Sequence, residues 1–248
     1  MTEDELRSLG ESLEQYCNKY LLPVKYVFEI LNDQKVTPML RGKAMEYNAF
    51  VLLDSQLNKS EWSVQKLNLN AQPGTPDEDI DVTHRRTGKI IKIECKSAVR
   101  GSFSSGKKAK IHKVPHFKVK CHRSRSNIKL AGTSNDQYAV DVFDVILTTP
   151  LNALFKKGTI GEELEIIQDD ELLGVLYQHY GVSNDENLLT AVSNDWRFVI
   201  TSKIAENGFI PRTPFVLLQD DPNWLSINQF ESNLLEFVRR EARRRSRR

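Results

Sequence analysis

The chain is poor in several features, and each shortage removes a class of reading. It has three cysteines, Cys17, Cys95 and Cys121, an odd number at no paired spacing. A disulfide framework is therefore not expected, and a reducing compartment suits the chain. No run approaches the eighteen or so apolar residues of a membrane span. The acidic N-terminus, MTEDELRSLG, has the wrong chemistry for a secretion signal. A cytoplasmic, prokaryotic protein is expected. No glycine-rich phosphate loop or dinucleotide fingerprint follows a strand-like run, so nucleotide-dependent chemistry has no support.

The most telling shortage is of one sign of charge. From Cys95 to Asn135 there is no Asp or Glu, yet Lys96, Arg100, Lys107, Lys108, Lys110, Lys113, Lys118, Lys120, Arg123, Arg125 and Lys129 all fall there. The last ten residues, RREARRRSRR, hold seven arginines against one glutamate. The formal net charge is only +2, so the remainder is acidic, notably 162–195. Segregation of this kind suits a polyanion partner met by one face. The tail also reads as a solvated end whose cations favour a helix C-terminus.

Thr2-Glu-Asp-Glu5 reads as a capping box, followed by Leu6, Leu9, Leu13, Tyr16 and Tyr20 at helical spacing. A second helix is expected from Thr37-Pro38 to about Leu57, with Leu40, Ala44, Tyr47 and Val51 as its buried stripe. Residues 62–69 alternate like a strand, and 72–76 read as a loop. Two antiparallel strands are expected at 80–85 and 89–97 around Arg86-Thr-Gly88, and a central strand at 138–150. Beyond, 161–180 reads as a helix, 196–201 as a strand, and 226–240 as a capped last helix. This order implies an α/β fold with a central mixed sheet flanked by helices and extra helical elements at the C-terminus. One domain is expected over 1–248, with a core in 37–150, C-terminal elements in 151–248 and a basic tail at 239–248.

The chemistry concentrates in "DIDVTHRRTGKIIKIECKSA", residues 79–98. On the second strand Ile91, Ile93 and Cys95 share one face, while Lys92, Glu94 and Lys96 share the other. Asp81 is expected opposite Glu94 and Lys96 on the neighbouring strand. Asp79, two residues away and facing the same way, is the alternative ligand. Two carboxylates converging with a lysine suit a hard divalent cation such as Mg²⁺, with Mn²⁺ as a substitute. Such a site polarises a phosphodiester and acidifies a water, with the lysine serving that water. The Cys95 carbonyl is a further candidate oxygen ligand. An ordinary ion pair on a sheet surface is the plain alternative.

Asp81, Glu94-Cys95-Lys96, the hairpin between them and a helix upstream resemble the PD-(D/E)XK nuclease superfamily, especially type II restriction endonucleases. The resemblance covers roughly 37–150. It implies a restriction-endonuclease-like core, with Asp81, Glu94 and Lys96 as catalytic residues and a glutamate on the upstream helix, here Glu46 in "RGKAMEYNAFVLL". It also implies a strand such as the one within 139–147. A second [DE]-x-K, Asp33-Gln-Lys35, lies in a polar loop with no strand around it.

The expected activity is Mg²⁺-dependent hydrolysis of double-stranded DNA at a specific sequence. A twofold homodimer and a protective DNA methyltransferase are the implied partners. Lys107, Lys108, Lys110, Lys118, Lys120, Arg123, Arg125 and Asn127 are the candidate DNA contacts. His112, His116, Cys121 and His122 match no paired zinc spacing, and the three histidines are read as facing DNA as well. Two alternatives remain open: a repair, recombination or mobile-element nuclease of the same fold, and a DNA-binding module without catalysis.

Overall fold

The structure is a computed structural model that describes residues 1–33, 35–67, 78–105, 114–122, 136–157 and 164–245, with only the backbone path for 240–245. The chain divides into two compact units, 1–44 and 45–248. The first contains α1 (Glu3–Tyr20), a 3₁₀ turn (Val24–Tyr26), α2 (Val27–Leu31) and the beginning of α3 (Thr37–Gln56). The capping box forms as expected. The Thr2 hydroxyl accepts from the Glu5 N–H, and the Glu5 carboxylate accepts from the Thr2 N–H at 2.7 Å. Leu21 ends α1 in the left-handed conformation, at φ 54°.

The second unit is built on a six-stranded sheet. Its members are β1 (Trp62–Lys66), β2 (Ile80–His84), β3 (Lys89–Cys95), β5 (Val145–Thr148), β8 (Arg197–Ile200) and β10 (Leu225–Ser226), adjacent in that order. β3 and β5 run parallel and all other neighbours are antiparallel, which makes the sheet mixed, as expected. A parallel pair needs a long crossover, and the acid-free segment supplies it. That crossover contains β4 (His116–Lys118), which pairs with β9 (Phe215–Leu217) away from the main sheet. β6 (Phe155–Lys157) and β7 (Leu164–Ile166) form a small hairpin. The remaining helices are α4 (Asp170–Tyr180), α5 (Asp185–Asn194), α6 (Thr201–Ile204) and α7 (Phe230–Arg245).

Alternation along the strands feeds two buried clusters. Ile80, Val82, Ile91, Ile93, Val145, Leu147 and Phe198 pack with Ala49 and Leu53 of α3 and with Phe230 and Leu234 of α7. On the opposite face, Ile146 and Val199 pack with Phe117, Phe143, Leu176 of α4 and Leu188 of α5. Helices therefore cover both faces, and each fully buried Leu or Ile contributes about 1.5–3 kcal/mol.

Several expectations are corrected. The buried face of α3 is not Leu40, Tyr47 and Val51, which are 41%, 48% and 62% exposed; it is Ala49 and Leu53, with Met45 packed alongside. Apolar residues are spread around this helix among polar ones instead of along one face, so its spacing alone leaves the phase open. The central strand at 138–150 shrinks to Val145–Thr148, because the chain turns through 140–142 before entering the sheet. The helix expected at 161–180 begins only at Asp170, capped by the Asp169 carboxylate, and Leu164–Ile166 is a strand. No helix among the described residues is long and apolar enough to cross a membrane.

Candidate active site

The antiparallel register of β2 and β3 determines which acid meets Glu94. Asp81 pairs with Lys92, and Ile80 pairs with Ile93. The expectation that Asp81 stands opposite Glu94 and Lys96 is therefore corrected by two residues. Asp79 takes that place, bracketing Glu94 with two bonds. Its N–H donates to the Ile93 carbonyl at 3.0 Å, and its carboxylate accepts from the Cys95 N–H at 2.9 Å.

Three other elements reach the same strand ends. Glu46 lies three and seven residues before Ala49 and Leu53, and so on the buried face of α3, at the end nearer the helix N-terminus. Its carboxylate is 2.9 Å from Lys66 Nζ at the end of β1, and both side chains are largely but not fully buried. Lys66 also donates to the Leu67 carbonyl at 2.8 Å. Lys96 Nζ donates to Glu94 Oε1 and to the Tyr138 hydroxyl at 3.1 Å, and it lies over the Tyr138 ring at 4.6 Å.

The electrostatics follow from burial and crowding. Burial first, then the Glu46 carboxylate, pushes Asp79 up to about 6, against the Cys95 N–H and the Lys96 and Lys66 ammoniums. Burial works to lower Lys96, but the Glu94 carboxylate and Tyr138 outweigh it and hold the ammonium above its ordinary range. The thiols are suppressed: burial, ahead of the neighbouring Asp79 and Glu94 carboxylates, drives Cys95 well up, and burial pushes Cys121 up to about 12. Thiolate chemistry is thus disfavoured at neutral pH.

Asp81 belongs to a separate group with Glu78, Lys92 and Asp144. Glu78 Oε1 is 3.0 Å from Lys92 Nζ, and Asp144 accepts from the Lys92 N–H at 3.0 Å. Burial, then Glu78, then Asp144 raise the Asp81 pKa, with Lys92 pulling it down.

Of the candidate DNA contacts, Lys118 and Lys120 are tied to the chain just beyond Lys96. The Lys118 carbonyl accepts from the Val99 N–H at 2.7 Å, and the Lys120 N–H donates to the Ser97 carbonyl at 3.0 Å. Lys107, Lys108, Lys110, Arg123, Arg125 and Asn127 lie outside the described residues, as does His112. His116 does not face outward; it is buried, with Nδ1 at 2.9 Å from the Val114 carbonyl and its ring edge-on to Phe215.

Two site residues were missed in the sequence, Lys66 and Tyr138. Lys66 carried a signal, since it continues the Trp62–Val64 alternation onto the apolar face, where a lysine requires a buried partner. Tyr138 carried none, because it lies forty-two residues from Lys96 in sequence.

Asp79 and Glu94 are oxygen donors beside a lysine, which fits Mg²⁺ in its usual manner of one or two carboxylates completed by water and phosphate oxygens. They do not form a closed protein cage: among the described residues, no group of three or more His, Cys, Asp or Glu is placed to hold a metal alone.

No protein-family model matches the chain. No curated protein matches it either. Among solved structures, the bacterial homing endonuclease I-Ssp6803I is similar to it at 12% identity and a TM-score of 0.36, with 86% of this chain and 98% of that chain covered. At that score the overlap is too loose to assign a fold family.

Proposed function

We propose that the protein is a divalent-cation-dependent nuclease hydrolysing phosphodiester bonds in double-stranded DNA. One observation carries the reading. The β2–β3 register brings Asp79 beside Glu94, at the strand ends where Lys96 is charged and Glu46 adds a further, largely buried carboxylate.

Asp79 and Glu94 would hold Mg²⁺, which when bound polarises the phosphodiester and acidifies a water. Lys96 is kept protonated by Glu94 and Tyr138, so its task is to stabilise charge developing on the phosphate oxygens and to orient the attacking water. Glu46 assists by adding negative charge beside Asp79, and Lys66 balances that charge at the buried end. Lys118 and Lys120, held next to the Lys96 strand, suit contacts to the DNA backbone.

The finer form of the proposal is a type II restriction endonuclease: a homodimer cutting both strands at a symmetric sequence, with a DNA methyltransferase protecting the host. The acid-free segment after Lys96 supports duplex DNA as the substrate. A nuclease that recognises DNA structure would use the same site and differ in its products. Incubation of plasmid and phage DNA with the purified protein and Mg²⁺ tests both levels. Discrete fragments are expected, a smear would remove the sequence-specific form, and intact DNA would remove the nuclease.

A further inference from the structure

The apolar side chains left in solvent along α1 form one seam. Leu6, Leu9, Leu13, Tyr16 and Tyr20 are 39–57% exposed, and their spacing alternates between three and four residues. That alternation is the a/d repeat of a coiled coil, a narrower seam than the stripe by which a helix packs onto a globular surface. Asp4, Glu11, Glu14, Gln15 and Asn18 make the opposite face polar. The charges flanking the seam are ordered, with Glu5 in the first turn and Lys19 in the last.

We propose that α1 is a self-association helix, pairing antiparallel with α1 of a second copy of this chain about a twofold axis near residue 11. Leu9 of each copy then meets Leu13 of the other, Leu6 lies against Tyr16, and Glu5 faces Lys19 at both ends. Parallel pairing would put Glu5 near Gly10 and forfeit both ion pairs. Gly10 and Ser12 flank the axis and add little bulk there; a Cβ built at Gly10 meets nothing within 4 Å. Such a contact is isologous and self-complementary. At eighteen residues, α1 spans about 27 Å, a short contact, so a concentration-dependent dimer is expected. The inference does not rest on the nuclease reading, although two copies would bring two active sites.

The test is the mass of the full-length protein by sedimentation, in a concentration series up to about 100 µM. Wild type is expected to dimerise, and Leu9→Glu with Leu13→Glu to sediment as a monomer with unchanged far-ultraviolet circular dichroism. Lys19→Glu, an exposed change that leaves the seam intact, is expected to weaken the dimer about tenfold by setting like charges together. Adding Glu5→Gln, which keeps the capping box, should recover part of that loss. A wild-type monomer throughout the series, or a dimer indifferent to these changes, overturns the proposal.

Discussion

At the scale of single residues, Asp79, Glu94 and Lys96 separate from their near neighbours by partner, not by type. Asp79→Asn is expected to lower cleavage by two orders of magnitude or more, and Asp81→Asn to stay within about threefold of wild type. Comparing single-turnover rates on one plasmid distinguishes the two acids. The pH dependence of the metal-free protein follows from the same crowding. The folded-state pKa of Asp79 is raised from 3.8 to about 6, so folding favours its neutral form. Relative to the unfolded chain, the stability in question is present below pH 3.8 and lost as pH rises through about 6, a change of roughly 3 kcal/mol. Thermal unfolding in chelator should show this decline, and Asp79→Asn should flatten it. Mg²⁺ should raise the melting temperature of the wild type more at about pH 7.5 than at about pH 5 if, as proposed, it binds the ionised carboxylate. Tyr138→Phe keeps the ring under Lys96 but removes the hydroxyl that accepts from it. A several-fold drop in single-turnover rate with DNA affinity unchanged is the expected sign of a positioning role.

At the scale of elements, the faces of strands were legible in the sequence and their register was not. Alternation assigned Ile91 and Ile93 to the core and Glu94 and Lys96 to the other face, and the structure agrees. A slip of two residues leaves every side chain on its own face, so alternation could not distinguish Asp79 from Asp81 opposite Glu94. The turn decides it: four residues, 85–88, separate the paired His84 and Lys89, and the His84 carbonyl accepts from the Gly88 N–H at 2.9 Å. Gly88, at φ 66°, supplies the left-handed conformation this loop requires. The phase of α3 was hidden for a different reason, since its apolar residues are spread around it among polar ones. Leu53, fully buried, should cost about 2–5 kcal/mol when changed to Ala. Val51→Ser, on the exposed face, should change stability by less than about 0.5 kcal/mol. Urea denaturation of the two variants gives both values.

At the scale of the whole molecule, the six-stranded sheet explains why chemistry-bearing residues far apart in sequence converge. β2 and β3 form a local hairpin, the connection to the parallel β5 ties Lys118 and Lys120 to Val99 and Ser97 just beyond Lys96, and α3 returns Glu46 to the same place. Strands β8 and β10, from beyond residue 150, complete the sheet, so the C-terminal third is part of the scaffold that holds the site. Charge segregation adds a property of the entire chain: DNA binding should weaken steeply between low and moderate salt, and Lys118→Ala should lessen that slope by about one unit. The most direct measurement is digestion of plasmid DNA by wild-type protein and by Asp79→Asn and Lys96→Ala, with Mg²⁺ and with chelator. Cleavage by wild type only with Mg²⁺, and its loss in both variants while DNA binding persists, is the predicted result. Intact DNA with wild type, or undiminished cleavage by either variant, would contradict it.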